Sequence, residues 1–236
     1  VVITDLDQAR VDKSVDTIRG EIDDLLAKGR IDSDEANRLK ALVTGTTDKA
    51  DFADCDVVVL CVSADADVLE NVRALSMVLA PGSVVVDHST VASDTAKSAK
   101  ALLAEHGIGF LDAPVSGGVE GARNGKLSIM VGGDAADLEK ARPALETYAL
   151  RITHMGESGS GQATKAVNQV LVAGIAQAVC EGLALGEKLG LKPELLVPTL
   201  AAGAAGNWFL DKRGATMMAS NFTPGFKSAL LLKDLH

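Results

Sequence analysis

Short apolar runs alternate with longer amphipathic segments over residues 1–157. The short runs are rich in Val, Ile and Leu, as buried strands are, whereas apolar positions in the segments between them recur at helical spacing. Strands are predicted at 1–4, 43–44, 57–62, 83–86, 109–112, 126–132 and 152–154, and helices at 8–27, 33–42, 68–79, 94–106 and 135–148. Because strands and helices alternate, the pattern predicts an α/β fold with a doubly wound parallel sheet.

The pattern changes after residue 160. From Gly161 to about Leu189 the chain is apolar, rich in Ala and free of Pro, which predicts one helix of about 29 residues, or roughly 43 Å. We expect a helix of this length to bridge two domains. Another helix is expected to begin at Pro193, and the small residues of 201–206 interrupt the helical pattern. The sequence therefore predicts an α/β domain over residues 1–157 and an all-helical domain over 158–236.

The charge balance limits the kinds of partner. The chain carries 23 Lys and Arg residues against 32 Asp and Glu, a formal net charge of -9, which argues against a nucleic-acid surface or a polybasic membrane patch. We find no uninterrupted apolar stretch of membrane-spanning length, and we expect a cytoplasmic protein with no membrane partner. The cysteines show neither paired nor metal-ligand spacing, so we expect buried packing residues and no bound metal at Cys55, Cys61 and Cys180.

A glycine-rich turn follows the strand predicted at 109–112. Ser116, Gly117 and Gly118 place two glycines beside a hydroxyl group. Without Cβ atoms the backbone amides can approach an anion closely, and the Ser hydroxyl adds a third donor. The turn therefore indicates a binding site for a carboxylate, and the alternative is a tight turn with no ligand.

Lys165 lies about one turn inside the predicted long helix, among the apolar residues Ala163, Ala166 and Val167. Removing water from around a lysine disfavours its ammonium form and lowers its pKa, as a proton-transferring lysine requires. Asn168 follows one turn later. A lone lysine on an amphipathic helix is otherwise a solvated surface residue, so its interpretation depends on what surrounds it.

Four segments of the chain together resemble the β-hydroxyacid dehydrogenases, the family of 3-hydroxyisobutyrate dehydrogenase and tartronate semialdehyde reductase, which is related to 6-phosphogluconate dehydrogenase. They are, in the family's order, Asp87–Thr90, Asp112–Gly118, the Lys165 helix, and Pro224–Phe226 followed by Lys233–Leu235. The resemblance covers about residues 51–236. It implies a Rossmann-like domain, an NAD(P)-dependent oxidoreductase, a small 3-hydroxy acid as substrate, and a homodimer or homotetramer.

The resemblance also implies roles for individual residues. Lys165 would take the proton of the substrate hydroxyl while a hydride leaves for the nicotinamide, and Asn168 would orient Lys165 or the substrate. The turn formed by Ser116, Gly117 and Gly118 would bind the substrate carboxylate. The residues expected along the cofactor are Cys61, Val62, Ser63, Thr90 and Lys233.

The glycine-rich fingerprint of dinucleotide-binding sheets, Gly-x-Gly-x-x-Gly between a strand and a helix, does not occur in the chain. We expect residues 1–4 to form the second strand of such a sheet, whose first strand is missing. Asp5 then ends that strand, where a carboxylate accepts hydrogen bonds from the adenosine ribose and repels a 2′-phosphate. NAD is therefore the expected cofactor, with NADP as the alternative.

Each of these cofactor residues also has a purely structural interpretation. Asp5 would be an acidic turn or helix cap, Thr90 a turn or cap, and Lys233 a surface ion pair with Asp234.

Three other functions remain as alternatives. Residues 1–50, with two predicted helices after the first strand, are similar to 3-hydroxyacyl-CoA dehydrogenases, although the His-Glu pair of that class is not located here. A non-catalytic scaffold would have no physical need for Ser116, Lys165 and Asn168 together. Imine reductases on the same fold replace the lysine. We expect the chain to be truncated at both ends, which leaves the activity of the chain itself open.

Overall fold

The computed structural model describes residues 1–222 and 227–235, and the Pro224–Phe226 segment of the family resemblance lies outside them. The strands are β1 (Val2–Thr4), β2 (Thr44–Thr46), β3 (Val57–Leu60), β4 (Val84–Asp87), β5 (Gly109–Asp112), β6 (Val115–Ser116), β7 (Leu127–Gly133) and β8 (Ala149–Gly156). The helices are α1 (Gln8–Ala27), α2 (Ser33–Ala41), α3 (Asp65–Ser76), α4 (Ser93–Ala104), α5 (Gly118–Arg123), α6 (Ala135–Leu145), α7 (Ser160–Lys188), α8 (Pro193–Ala201), α9 (Trp208–Met218) and α10 (Ser228–Leu235).

The main sheet contains six strands, in the order β3-β4-β5-β7-β6, with β8 beside β7. Strands β3, β4 and β5 are parallel, with Val57 opposite Val84 and Val84 opposite Gly109. This confirms the doubly wound, Rossmann-like sheet. Strand β7 departs from the all-parallel prediction, because it runs antiparallel to β5 and β6. The connection from β5 to β7 holds only β6 and the six-residue α5, which is too short for the crossover helix that a parallel pair requires.

Strands β1 and β2 form a separate two-stranded parallel sheet. A groove lies between the two sheets, lined by Val2 and Thr4 of β1 and by Val58 and Leu60 of β3. Among the described residues, no strand pairs with β1 or β3 across this groove. This agrees with the prediction that the sheet lacks its first strand.

Helices cover both faces of the main sheet. Along a strand, successive side chains point to opposite faces. Val85 and Phe110 pack with α3 and α4 on one face, whereas Val84, Val86 and Leu111 pack with α6 on the other. Because both faces are buried, the central strands are continuous apolar runs, which is the pattern that predicted them.

Helix α7 links the sheet to the helical part of the chain and has the 29 residues predicted for it. It contacts β7 and β8 near its start, and farther along it packs with α8 and α9 around Val179, Leu183, Val197 and Leu210. By length and composition alone, α7 is apolar enough to cross a membrane, so the expectation that no segment has this property is wrong.

The cysteines are less buried than the sequence predicts. Cys55 is half-buried, whereas Cys61 and Cys180 are exposed. Cys61 directly follows β3 at the edge of the sheet, and Cys180 lies on α7. At these two positions, a small apolar side chain between apolar neighbours in the sequence therefore did not predict burial.

Candidate active site

Three parallel strands end at the same edge of the main sheet. Strand β3 is followed by Cys61–Ser63, β4 ends at Asp87, and β5 ends at Asp112. The N-terminus of α7 is held at this edge as well. Ligands of open α/β sheets bind outside the carboxyl ends of the strands, so this edge is the candidate site.

Asp112 attaches α7 to the sheet. Its buried carboxylate accepts hydrogen bonds from the backbone N–H groups of Gly159 (2.7 Å) and Gln162 (3.0 Å) at the start of α7. Burial raises the pKa of Asp112, and the backbone donors oppose this shift. The contact is close, since a Cβ at Gly161 would lie 2.5 Å from the carbonyl oxygen of Met130 and closer still to that of Asp112. Helix α7 is therefore fixed relative to β5 and β7.

Gln162 adds a second link between α7 and the sheet edge. Its buried side chain donates from Nε2 to the carbonyl oxygen of Ser89 (2.7 Å) and accepts at Oε1 from the N–H of Val91 (3.2 Å). The hydroxyl of Ser89 in turn accepts from the N–H of Val62 at 2.8 Å. The segments after β3 and β4 are thus tied to α7. The sequence analysis missed Gln162, whose only signal was a polar residue at the start of an apolar helix.

Lys165 is buried, with 8% of the residue exposed. Its Nζ donates to the carbonyl oxygen of Val115 at 2.9 Å. Burial lowers the pKa of Lys165, the carboxylate of Asp234 raises it, and the positive charge of Lys233 lowers it further. The desolvation expected for Lys165 is therefore observed, although the neighbours from which it was predicted, Ala163, Ala166 and Val167, are themselves exposed.

The turn of Ser116, Gly117 and Gly118 lies next to Lys165, because the carbonyl group that accepts from Lys165 belongs to the preceding residue. Val115 and Ser116 form β6, which pairs with β7. Gly117 and Gly118 have φ angles of 129° and 62°, in the region that favours glycine. The structure thus brings together the two segments that the sequence singled out for chemistry.

Gln169 lies on the same face of α7 as Lys165, four residues later, and only 3% of it is exposed. The side chain of Asn168 donates from Nδ2 to Oε1 of Gln169 (2.8 Å). Gln169 donates from Nε2 to Oδ2 of Asp234 (2.6 Å). The sequence analysis named Asn168 and missed Gln169, although the four-residue spacing from Lys165 was a usable signal.

Helix α10 brings a second lysine to the edge of the sheet. Lys233 donates from Nζ to the carbonyl oxygen of Thr90 (2.6 Å), in the segment after β4. Its Nζ also lies 3.0 Å from Oδ1 of Asp234. Lys233 therefore connects the helical part of the chain to the sheet edge, and it makes the ion pair with Asp234 as well.

Asp5 lies at the carboxyl end of β1, as predicted. Its Oδ1 accepts from the N–H of Leu6 (2.7 Å) and lies 3.7 Å from a guanidinium nitrogen of Arg10. The helix cap is Asp7, which accepts from the N–H of Arg10 at 2.9 Å. The carboxylate of Asp5 is thus partly exposed beside the groove between the two sheets, and it is not used to cap α1.

His88 and Tyr148 form a partly buried pair that was not predicted from the sequence. His88 Nδ1 lies 2.6 Å from the carbonyl oxygen of Ala113, and Nε2 lies 2.7 Å from the hydroxyl of Tyr148. A carbonyl can only accept, so in neutral His88 the proton is on Nδ1 and Nε2 accepts from Tyr148. Burial lowers the pKa of His88 and raises the pKa of Tyr148 to about 12. The pair joins the end of β4 to the start of β8.

Asp87, at the end of β4, is completely buried. Its Oδ1 accepts from the N–H of Ser89 (2.9 Å), and its Oδ2 has no hydrogen-bond partner among the described residues. Burial raises the pKa of Asp87 to about 6, Ser89 opposes this, and the charges of Asp112 and Asp65 add to it. The folded protein therefore holds the proton of Asp87 up to a higher pH, about 6, than the unfolded chain does.

We expect Asp87 to make the protein less stable as the pH rises from about 4 to about 6. In this interval the folded chain binds more protons than the unfolded chain, so the free energy of unfolding falls, by about 3 kcal/mol in total for this group. Urea unfolding over this pH range measures the effect, and Asp87→Asn should flatten that part of the curve. A variant with the slope of the original protein would contradict this assignment.

The groups at the sheet edge fit a dinucleotide. A carboxylate ends β1, hydroxyl groups follow β3 and β4 at Ser63 and Thr90, and α10 supplies the cation of Lys233. Carboxylates and hydroxyls bind ribose hydroxyls, and cations bind phosphates. The polar groups at the candidate site therefore match the ribose and phosphate groups of a dinucleotide.

Two family models match the chain. Residues 10–156 match the NAD binding domain of 6-phosphogluconate dehydrogenase, and residues 159–236 match the NAD-binding region of NADP-dependent 3-hydroxyisobutyrate dehydrogenase. The first match includes all but the first two residues of α1 and most of residues 1–50, the segment that is similar to 3-hydroxyacyl-CoA dehydrogenases.

Individual proteins to which the chain is similar are also oxidoreductases by name. An uncharacterized oxidoreductase from Synechocystis is 42% identical over 186 residues, which are 78% of this chain and 64% of that protein. The 2-hydroxy-3-oxopropionate reductase of Escherichia coli is 42% identical over 155 residues, 66% of this chain and 53% of that protein. The structure of Mycobacterium tuberculosis 3-hydroxyisobutyrate dehydrogenase with L-serine matches with a TM-score of 0.72 and 33% identity, covering 86% of this chain and 73% of that chain. The chain thus spans less than two thirds of the length of these two curated relatives.

Proposed function

The chain belongs to the β-hydroxyacid dehydrogenase family, and from this premise we propose that it interconverts a small 3-hydroxy acid, similar to 3-hydroxyisobutyrate, and its semialdehyde with NAD(P). The observation that carries the proposal is the buried amino group of Lys165 beside the Ser116–Gly118 turn. A base next to a carboxylate-binding turn suits a substrate that has both a hydroxyl and a carboxylate group.

Lys165 is the proposed acid/base group. In the oxidative direction its neutral amine accepts the proton of the substrate hydroxyl, the O–H bond breaks and the carbonyl forms. A bound NAD(P)⁺, held by the residues at the sheet edge, would supply the acceptor for the hydride that leaves the same carbon with its electron pair. In the reverse direction the ammonium form of Lys165 returns the proton to the carbonyl oxygen. Burial lowers the pKa of Lys165 and so raises the share of neutral amine available for the oxidation.

The Ser116–Gly118 turn is the proposed carboxylate site. Its hydroxyl and backbone N–H groups are donors without a charge, and the two glycines allow close approach. Since Lys165 is bonded to the residue before the turn, a bound carboxylate would place the hydroxyl carbon near its amine. Asn168 acts here through Gln169, whose amide it orients.

The cofactor is proposed to lie along Cys61, Val62, Ser63, Thr90 and Lys233.

Asp5→Ser is expected to lower kcat/KM with NAD by about tenfold or more and to raise the relative use of NADP. The reason is that hydrogen bonds to a charged acceptor are lost and a 2′-phosphate is no longer repelled. Initial rates with each cofactor give the ratio. Asp7→Asn is the matched control, since it removes a nearby charge and keeps an acceptor for the α1 N-terminus. An unchanged ratio in Asp5→Ser, or an equal change in both variants, would exclude the ribose role.

The substrate class is tested by following the absorbance of reduced nicotinamide. The protein is offered NAD and NADP in turn with 3-hydroxyisobutyrate, glycerate and 3-hydroxybutyryl-CoA. Turnover of a free hydroxy acid supports the proposal. Turnover of the CoA ester alone would favour a 3-hydroxyacyl-CoA dehydrogenase, and no turnover with any substrate would favour a non-catalytic binding protein.

We expect a homodimer or homotetramer in the cytoplasm. Apolar side chains that remain exposed on one stretch of α7 support a surface for a second copy, namely Val167, Val170, Leu171 and Ile175. Light scattering of the purified protein measures its mass in solution. The mass of a single chain at all concentrations would contradict the oligomer.

A further inference from the structure

The carboxylate of Asp234 is buried although it lies near the end of the described chain. Only 4% of its side chain is exposed. One oxygen accepts from Gln169 Nε2 (2.6 Å), and the other faces the ammonium group of Lys233 (3.0 Å). The proton transfer proposed above makes no use of this group, and burying a charge is costly unless it is paired and hydrogen-bonded.

We propose that Asp234, held by Gln169, is a positioning residue that sets the protonation equilibrium of Lys165. The inference rests on the proposed role of Lys165 as acid/base. Among the described residues, Asp234 makes no hydrogen bond or ion pair with Lys165, and its bonds are to Gln169 and Lys233. It acts through its charge, at a place that the side chain of Gln169 determines.

The geometry of α7 places Asp234 within range of Lys165. Residues four apart on a helix have Cβ atoms about 5–6 Å apart on the same face, so the partner of Gln169 lies close to Lys165. Gln169 has a fixed direction, because its Oε1 accepts from Asn168 and only its Nε2 is left to face the carboxylate. The hydrogen bonds therefore run from Asn168 through Gln169 to Asp234.

Two charges of opposite sign act on Lys165 within the described part of the chain, and both are on α10. Asp234 favours the ammonium form and Lys233 disfavours it. The group of β6 that Lys165 contacts is the uncharged carbonyl of Val115. Charge interactions are stronger in buried surroundings than in water. An acid/base group must both give and accept a proton, and the carboxylate counteracts the loss of the ammonium form that burial causes.

The test measures the protonation of Lys165 directly, without turnover. Trace labelling of amines with acetic anhydride over a range of pH, read by mass spectrometry, gives the midpoint at which Lys165 becomes reactive. Asp234→Asn removes the charge but keeps an oxygen that accepts from Gln169. We expect its midpoint to move to lower pH, so that labelling near neutral pH, relative to the plateau, rises on the order of tenfold. Lys233→Met should move the midpoint in the opposite direction.

These directions separate an electrostatic role from a structural one. If Asp234 only holds α10 in place, Asp234→Asn frees α10, Lys165 meets more water, and its midpoint moves up towards that of an ordinary lysine. An upward shift or no shift in Asp234→Asn therefore overturns the proposal. Asp211→Asn, on the surface of α9, is the control and should leave the midpoint unchanged.

The same measurements distinguish this inference from the proposed function. If Lys165→Met keeps its turnover, the acid/base role fails, whereas the labelling shift in Asp234→Asn is still seen. If Lys165→Met loses turnover while Asp234→Asn shows no downward shift, the acid/base role stands and the role of Asp234 fails.

Discussion

Lys165→Met is expected to lower kcat roughly 100- to 10,000-fold, the range in which a positioned acid/base group contributes. Methionine is close in size to lysine and fills the same buried space, but it can neither accept nor return the proton. KM is expected to change little, because the carboxylate-binding turn remains intact. Steady-state kinetics with the hydroxy acid that gives turnover provides both constants.

Lys188→Met is the matched control for this prediction. It removes a lysine from the same helix at its exposed last residue, far from the sheet edge. Its kcat should equal that of the original protein. Urea unfolding shows whether both variants remain folded, since loss of stability alone would also lower the rate. A folded Lys165→Met protein that retains most of its kcat would rule out the acid/base assignment.

Gly161→Ala is expected to lower the free energy of unfolding by about 1–3 kcal/mol or more. The added Cβ would collide with two backbone carbonyl oxygens, those of Asp112 and Met130, and backbone atoms cannot move aside as a flexible side chain can. The helix would have to lift from the sheet, which also weakens the hydrogen bonds from Gly159 and Gln162 to Asp112. Urea denaturation of the purified variant measures the loss.

Gly174→Ala is the control on the same helix. Outside the backbone of α7 itself, no described atom lies within 4 Å of a Cβ added there, so the change should stabilise α7 by about 0.5–1 kcal/mol through helix propensity alone. The two substitutions are chemically identical and differ only in what surrounds them. Equal effects on stability would mean that the close approach at Gly161 does not constrain the fold.

Elements specified by local signals could be predicted well. Helix α1 has the predicted bounds, Gln8–Ala27, because its apolar spacing is regular and Gly29 ends it with a φ of 65°. Helix α7 differs from the predicted range by one residue at each end. In both cases the information lies within a turn or two of the residue concerned.

Pairing between distant segments could not be predicted in the same way. Strand β6 has two residues and exists because Val115 lies opposite Ile129 of β7. Neither the antiparallel direction of β7 nor the short helix α5 leaves a periodic pattern in such short segments. Strand β8 was recognised only at its centre, since its outer residues, such as exposed Arg151, lack the apolar pattern of a buried strand.

The candidate site was predictable where glycine or an isolated charge marked it. Lys165 and the Ser116–Gly118 turn stand out in the sequence, and the structure places them side by side. Gln162, Gln169 and the buried state of Asp234 did not stand out, because their function depends on partners 65 to 73 residues away. The roles assigned to individual residues remain predictions that the variants above can test.

The surroundings of Lys165 come from two separate attachments. Asp112 and Gln162 fasten the start of α7, and with it the amine, to the sheet. The carboxylate of Asp234 lies on α10, which Lys233 ties to the same sheet edge through Thr90. A substitution that frees α10 alone would therefore leave the amine on the sheet and change the charge and the water around it.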